Sequence, residues 1–557
     1  MRIRQGKNGE KGASLFVAIA ALVWVLIPML GLFIDLGILY SAKARLQAAV
    51  DGAALAAARA LNLGQSTSAQ ASAAQQNAVN WFYANFPPGN WNTNGTVMNT
   101  GTVTVVDSPN QANLRQVTVT ATTNVPAWFM KYLGFNATAL SVTGQASRRD
   151  VVSMLVLDRS GSMCSVNGAT PNPPCGANDG TPCASMITAA KNFTGAFAAG
   201  RDQIGMLTFA DGYFLDTKPT TNFQTVLGYS NASGSGSGDI DNITCAGGTG
   251  TAAAVSLAYN ELYKLALPGA MNLIMLETDG LPNTLIYNFY SSPGNTATLA
   301  LANGSGCKDK NNKTVAAGGW TTAASVPSWL PSIPMNSGGT GFMSDVPAGA
   351  TGAFYTADPS QGPPYYNILM FNPMQTSDSS GNNDSIYING TANNCTFNGG
   401  ATNDYSDFQW LPSQDVFGNQ VAPSNEYQSL ALTGGVNTLT GNIATDWPNS
   451  THPAALNATD NAAYNARANA TLPAYIFTIG LGGNHGNPPD PILLQRMAND
   501  PNGDQFNNPA VYPACNTEPT CVSYGTQPQG QFIYAPTSAQ LGQAFLAISS
   551  QILRLSH

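Results

Sequence analysis

The sequence predicts an α/β protein: a doubly wound, mostly parallel sheet with a long loop-rich insertion, preceded by a single transmembrane helix and a small α+β module. Three observations carry this expectation. Residues 13–34 form an uncharged apolar run, residues 102–144 contain stretches that alternate with period two, and beyond residue 150 short continuously apolar runs alternate with helix-length segments.

The apolar run (ASLFVAIAALVWVLIPMLGLFI) spans about 33 Å as a helix, enough for a hydrocarbon core of about 30 Å. Arg2, Arg4, Lys7 and Lys11 precede it and Glu10 is the only opposing charge, so the N-terminus is expected in the cytoplasm and the rest exported. The run is longer than a usual signal-peptide core and continues helically through Ser41, Lys43 and Arg45, which favours an uncleaved anchor. Pro28 is expected to kink the helix without breaking it. Asp35 is expected as an interfacial carboxylate. Beyond it, Ala49, Ala53, Ala56 and Ala60 fall at helical spacing and make a small-residue face suited to close packing.

Residues from about 66 to 84 read as a further helix, and 102–106, 116–121 and 140–144 as strands of a membrane-proximal module. The pattern then changes. Residues 151–157 (VVSMLVL), 204–209 (IGMLTF), 272–276 (NLIML) and 475–479 (YIFTI) have the character of central strands buried on both faces. Helices are expected at 184–199, 251–265, 491–498 and 538–553, with a strand at 531–534. This alternation implies a doubly wound sheet whose ligands gather at the carboxyl ends of its strands. Between Pro282 and about Pro453 the alternation stops. That stretch is expected to be an inserted, loop-rich β subdomain, and aromatics such as Trp320, Trp329, Tyr365 and Trp410 argue against full disorder. The expected boundaries are therefore 1–62 for the anchor and its continuing helix, 63–149 for the module, 150–282 and 454–557 for the α/β domain, and 283–453 for the insertion.

Charged residues make up 9 % of the chain, far below the roughly 25 % of soluble domains, and small polar residues replace them. That balance points to an exported protein. A net charge of −8 with no basic cluster argues against nucleic acid. The three histidines are scattered, so neither a His-based triad nor a zinc site is readily assembled. All eight cysteines follow the apolar run, without CxxC spacing, and read as disulfides of an oxidising compartment. Their pairing stays open; Cys515 with Cys521 is the one local pair to name.

Oxygen donors collect where the predicted strands end. The first buried strand runs into Asp158-Arg159-Ser160-Gly161-Ser162, Gly247-Gly248-Thr249 precedes a helix, and Glu277-Thr278-Asp279-Gly280 follows the third buried strand. Asp158 and Asp279 would offset a divalent charge, while the hydroxyls of Ser160, Ser162 and Thr249 add none. Such a set suits Mg²⁺, or Mn²⁺ or Ca²⁺, and leaves the ion able to accept a carboxylate from an Asp or Glu of a protein partner.

This arrangement resembles the metal-ion-dependent adhesion site (MIDAS) of von Willebrand factor type A (VWA) and integrin I-type domains, over about 150–282 and 454–553. LVLDRSGSM at 155–163 is of the bacterial kind. The resemblance implies a VWA fold and the ligand roles of Asp158, Ser160, Ser162, Thr249 and Asp279. The N-terminus carries a second resemblance. Asp35-Leu36-Gly37, Leu46-Gln47-Ala48 and the run from Asp51 to Ala58 are similar to the TadE/TadG-type segment of tight-adherence (Tad/Flp) pilus assembly proteins. TadG-type proteins commonly join such an anchor to a VWA domain. Prepilin-like cleavage after Gly12 would want a Glu where Val17 stands, so no processing is expected.

Together these readings imply a single-pass protein of a bacterial inner membrane, exporting its large C-terminal part and working in pilus assembly or adhesion through a metal-held partner carboxylate. The alternative is a metal-dependent docking module of another envelope complex. No GxSxG, HExxH or P-loop appears, and no base accompanies the serines, so an enzyme is not expected.

Overall fold

Before the turn-covered Gly31 the first helix turns apolar side chains outward, Phe16, Val17, Trp24 and Leu30 among them. A helix apolar all round with no protein over it belongs in lipid. It is the one helix among the described residues long and apolar enough to cross a membrane. The computed structural model describes residues 16–20, 22–64, 66–166, 175–210, 213–228, 238–245, 249–288, 452–482, 488–503 and 527–556, with 340–344, 369–371, 386–388, 391–392, 415 and 417–421 between them. The basic start at Arg2 to Lys11 lies outside them. The chain divides into two units, Met1–Asp150 with Ser556–His557, and Val151–Leu555.

In the first unit a π-helical turn (Leu22–Leu26) leads into α1 (Ile27–Ala60). Pro28 stands in the first turn of α1, where its ring would crowd the carbonyl four residues back; the wider π turn takes up that crowding. The far half of α1 buries Leu46, Ala49, Val50, Ala53, Ala54, Ala57, Ala58 and Ala60 against α2 (Thr67–Asn85) and a sheet. The alanine face therefore packs. It is wider than the expected stripe, and Ala56 lies at its half-buried margin.

That sheet is antiparallel: β1 (Asn94–Val97) and β2 (Val103–Asp107) share one edge of β3 (Leu114–Pro126), and β4 (Ala137–Arg149) runs along the other. The two long strands exceed the short alternating runs that announce them. Gln47 of α1 donates to Asp51 Oδ1 (2.8 Å) and to the carbonyl of Thr143 in β4 (3.2 Å). Next to it helix and strand nearly touch. A methyl group on Gly144 would stand 2.6 Å from Asp51 Oδ1 and 3.2 Å from Asp51 Cα. Gly144→Ala should therefore wedge α1 off β4 and destabilise this unit by about 1–3 kcal/mol. A lower thermal midpoint would show it; an unchanged midpoint would mean the helix has room to give.

The second unit holds a six-stranded sheet of order β15-β14-β8-β5-β6-β7. Its strands are β5 (Val151–Asp158), β6 (Gln203–Phe209), β7 (Tyr213–Thr220), β8 (Met271–Thr278), β14 (Tyr475–Leu481) and β15 (Phe532–Ala535). All neighbours are parallel except β6 and β7. The antiparallel edge strand β7 is absent from the expected elements because its polar YFLDTKPT lacks a core strand's apolar run. Val151, Leu155, Leu157, Leu273 and Met275 face α3 (Pro182–Thr194) and the terminal helix α7 (Ser538–Leu555), where Phe193 and Phe545 meet edge to face at 6.0 Å. Against the opposite face lie α4 (Thr251–Leu265), α5 (His452–Ala468) and α6 (Pro491–Ala498). Arg496 and Asp460 form a buried ion pair at 2.8 Å between α6 and α5. With helices on both faces, this is the doubly wound α/β domain expected.

Between β8 and α5, β9 (Thr284–Asn288), β10 (Thr340–Ser344), β11 (Leu369–Phe371), β12 (Ile386–Ile388) and β13 (Thr391–Ala392) form a separate five-stranded sheet. Trp320, Trp329, Tyr365 and Trp410 lie outside the described residues.

Candidate metal centre

Strand order decides where this sheet opens. The chain leaves β5 toward β6 on one side and later returns to β8 on the other, so the switch point lies between β5 and β8. Asp158 is the last residue of β5 and Asp279 the first after β8. Topology thus brings together two carboxylates that are 121 positions apart in sequence.

Local bonding then fixes the side chains. Asp158 Oδ1 accepts the Ser160 backbone N–H at 2.7 Å, and its Oδ2 accepts the Thr278 hydroxyl at 2.6 Å. The Ser160 and Ser162 hydroxyls lie 2.7 Å apart, and Ser162 Oγ donates to Asp279 Oδ1 at 2.6 Å. Thr249 begins the turn into α4. A methyl group on Gly280 would stand 3.5 Å from Thr249 Oγ1 and 3.8 Å from Ser162 Oγ, so both hydroxyls border the same small space. Asp158, Ser160, Thr249 and Asp279 are buried, and Ser162 alone of the five is half-exposed. Gly247 and Gly248 lie outside the described residues.

Three further residues belong to this arrangement. Thr278 orients Asp158. Asn283 clamps Thr249 by accepting its N–H on the side-chain oxygen at 2.6 Å while donating its own N–H to the Thr249 carbonyl at 3.0 Å. Glu277 is fully buried at the end of β8, and neither carboxylate oxygen reaches a partner with hydrogen-bond geometry. Its neighbours in Glu277-Thr278-Asp279-Gly280 hinted at Thr278. Nothing in the sequence marks Asn283, whose role depends on two loops meeting.

The electrostatics favour a cation. Burial, with the charge of Asp279 beside it, pushes Asp158 up to about 7, and burial with both aspartates holds Glu277 well above the ordinary range. Two carboxylates and three hydroxyls, all oxygen, match the ligand set of a small hard cation, whose charge would relieve this crowding. A carboxyl raised on folding is protonated in the native state while already ionised in the unfolded one. Its penalty is absent below about pH 4 and grows, at up to about 1.4 kcal/mol per pH unit, until about pH 7. In chelator the protein should thus lose stability from pH 5 to 7.5, and Asp158→Asn should lose less. Asp216 and Asp415, also raised to about 7 by burial, push the same way, so the difference between the two proteins is the quantity to read in thermal melts.

Two disulfides brace the loops. Cys164, two residues past Ser162, is bonded to Cys175, and Cys183 at the start of α3 is bonded to Cys245, four residues before Thr249. Cys175 and Cys245 also exchange backbone hydrogen bonds at 3.3 and 2.8 Å. The Asp158 turn and the Thr249 turn are thereby joined through sulfur and backbone. The sulfurs of Cys175, Cys183 and Cys245 cluster within 4.8 Å, but as disulfides they offer no thiolate to a metal. Cys307, Cys395, Cys515 and Cys521 lie outside the described residues.

Residues 12–60 match the family model described as putative Flp pilus-assembly TadE/G-like. The anchor is TadE/G-like. Within this TadE/G-like segment, Gln47 and Asp51 make the α1–β4 contact described above. No curated protein matches the chain. Among solved structures, the PilB minor pilin from Streptococcus sanguinis is 10 % identical with a TM-score of 0.30, covering 84 % of this chain and 80 % of that one. The vWF domain of the type V pili tip protein Mfa5 from Porphyromonas gingivalis is 14 % identical with a TM-score of 0.30, covering 74 % and 98 %. The adhesive tip pilin GBS104 from Group B Streptococcus agalactiae is 12 % identical with a TM-score of 0.30, covering 81 % and 67 %. Likenesses this remote assign no function.

Proposed function

We propose that this chain is a membrane-anchored, exported protein of Tad/Flp-like pilus assembly or adhesion. Its VWA-type sheet edge binds Mg²⁺, or Mn²⁺ or Ca²⁺, and through that ion a carboxylate of a protein partner. The observation that carries this reading is the hydrogen-bonded convergence of Asp158, Ser160, Ser162 and Asp279 at the switch point, with Thr249 bordering the same space. Asp158, Ser160, Ser162, Thr249 and Asp279 hold the ion, and Thr278 and Asn283 position two of them. The half-exposed side at Ser162 is where a partner's Asp or Glu approaches. The anchor supports the pilus setting, and the basic residues before it favour a cytoplasmic N-terminus, with the ion site beyond the bacterial inner membrane.

Crosslinking the full chain in its native membrane, followed by pulldown with Mg²⁺ or with EDTA, tests this. A pilus or envelope protein retained in Mg²⁺ and lost in EDTA is expected. Capture that is equal in both would remove the metal-mediated role.

A further inference from the structure

We propose that the turn joining β3 to β4, residues 127–136, is a second membrane contact that lies in the headgroup boundary of the bilayer crossed by the first helix. This rests on reading that helix as the membrane anchor.

Asp35 is the first charge after the apolar run, at a level where a carboxylate would ordinarily reach for water. Instead it is 8 % exposed and accepts three backbone N–H groups: Trp128 at 3.0 Å, Phe129 at 2.9 Å and Met130 at 2.7 Å. The turn is therefore held to the helix at the end of the apolar run. Phe129 reaches deeper. A methyl group on Gly31 would stand 2.7 Å from Phe129 Cβ and Cγ, so this ring lies against the helix one turn, about 6 Å, back toward the membrane. The 13–34 run spans about 33 Å against a hydrocarbon core of about 30 Å, which puts Gly31 to Asp35 at its outer rim.

What the turn shows to its surroundings suits that level. Trp128 is 57 % exposed, Tyr132 81 %, Phe135 60 % and Phe129 40 %, four aromatics within eight residues. Lys131 stands among them, its ammonium 5.3 Å from the centre of the Tyr132 ring. Trp and Tyr with an apolar body and polar tip, beside a Lys able to reach lipid phosphate, are the side chains that settle at a membrane–water interface. In water the cluster would be an unexplained apolar patch. At the rim of a bilayer every ring has a place, and Asp35 spends its charge on three backbone donors rather than on lipid. Helix and turn together would hold the module at a set height and rotation over the membrane.

The test uses the full chain in vesicles of phosphatidylcholine and phosphatidylglycerol, with a nitroxide label at Tyr132→Cys, at Trp24→Cys within the apolar run, or at Asn110→Cys on the β2–β3 turn at the far end of β3. Collision with oxygen and with a water-soluble nickel chelate reads depth. The label at 24 should favour oxygen strongly, the label at 110 should be open to nickel, and the label at 132 should show nickel access at least about threefold below that at 110. Adding Asp35→Ala should raise nickel access at 132 and leave 24 unchanged. A label at 132 as open as that at 110, while 24 stays in the bilayer, overturns the proposal and leaves the anchor standing. Nickel reaching 24 freely would mean that the anchor reading itself had failed.

Discussion

Asp279→Ala should erase the stabilisation that Mg²⁺ is expected to give this chain at the proposed site. At a Mg²⁺ concentration about a hundredfold above the dissociation constant, ion binding raises unfolding free energy by about 2.7 kcal/mol. For a domain of this size that is a midpoint gain of roughly 5–10 °C. The variant lacks one of the two proposed anionic ligands and could not offset the ion's charge, so its gain should fall to zero, and Asp158→Ala should behave alike. The comparison in EDTA adds a second, opposite signature. With no ion present, Asp158, Asp279 and Glu277 are crowded carboxyls, and burial makes Asp158 and Glu277 costly to ionise, so removing one of the aspartates relieves that cost. The variants should then be at least as stable as the parent in chelator and clearly less stable in Mg²⁺. Equal gains in Mg²⁺ for parent and variant would end the case for this site.

Removing the Cys183–Cys245 bridge by changing both residues to serine should act on stability and on the ion together. Its ends are 62 positions apart, and a covalent loop of that length is worth about 4 kcal/mol by restricting the unfolded chain. Cys245 also leads into the turn bearing Thr249, and Cys175, paired to it through backbone, leads back to Cys164 and the Ser162 turn. Freeing one end loosens the support behind a proposed ligand, and at such a site outer-shell losses of this kind should weaken metal binding roughly tenfold or more. Calorimetric Mg²⁺ titration of the folded double variant reads the second effect apart from the first. An unchanged affinity with a lowered midpoint would make the bridge a stabiliser of the fold alone.

Some of this was readable from residue order. A continuous apolar run of membrane length, buried strands such as VVSMLVL and NLIML, and oxygen-rich turns after them each declare themselves locally, because burial and helix length depend on neighbouring residues. Disulfides could be expected from composition, but which cysteines pair could not, since pairing depends on loops that approach only in the fold. Strand β7 escaped notice because an edge strand needs no apolar run, and the alanine face proved wider than its spacing implied because α2 and the sheet both press on it.

By itself, then, the sequence determined the anchor, the α/β alternation and which residue types stand at strand ends. Only the tertiary structure decided that β5 and β8 are neighbours, that Asn283 grips Thr249, and that Asp35 turns from water to three backbone donors of a distant turn. The reason is physical: local pattern reports how each segment meets solvent, whereas the partners of a buried carboxylate are set by chain crossings that no local pattern records.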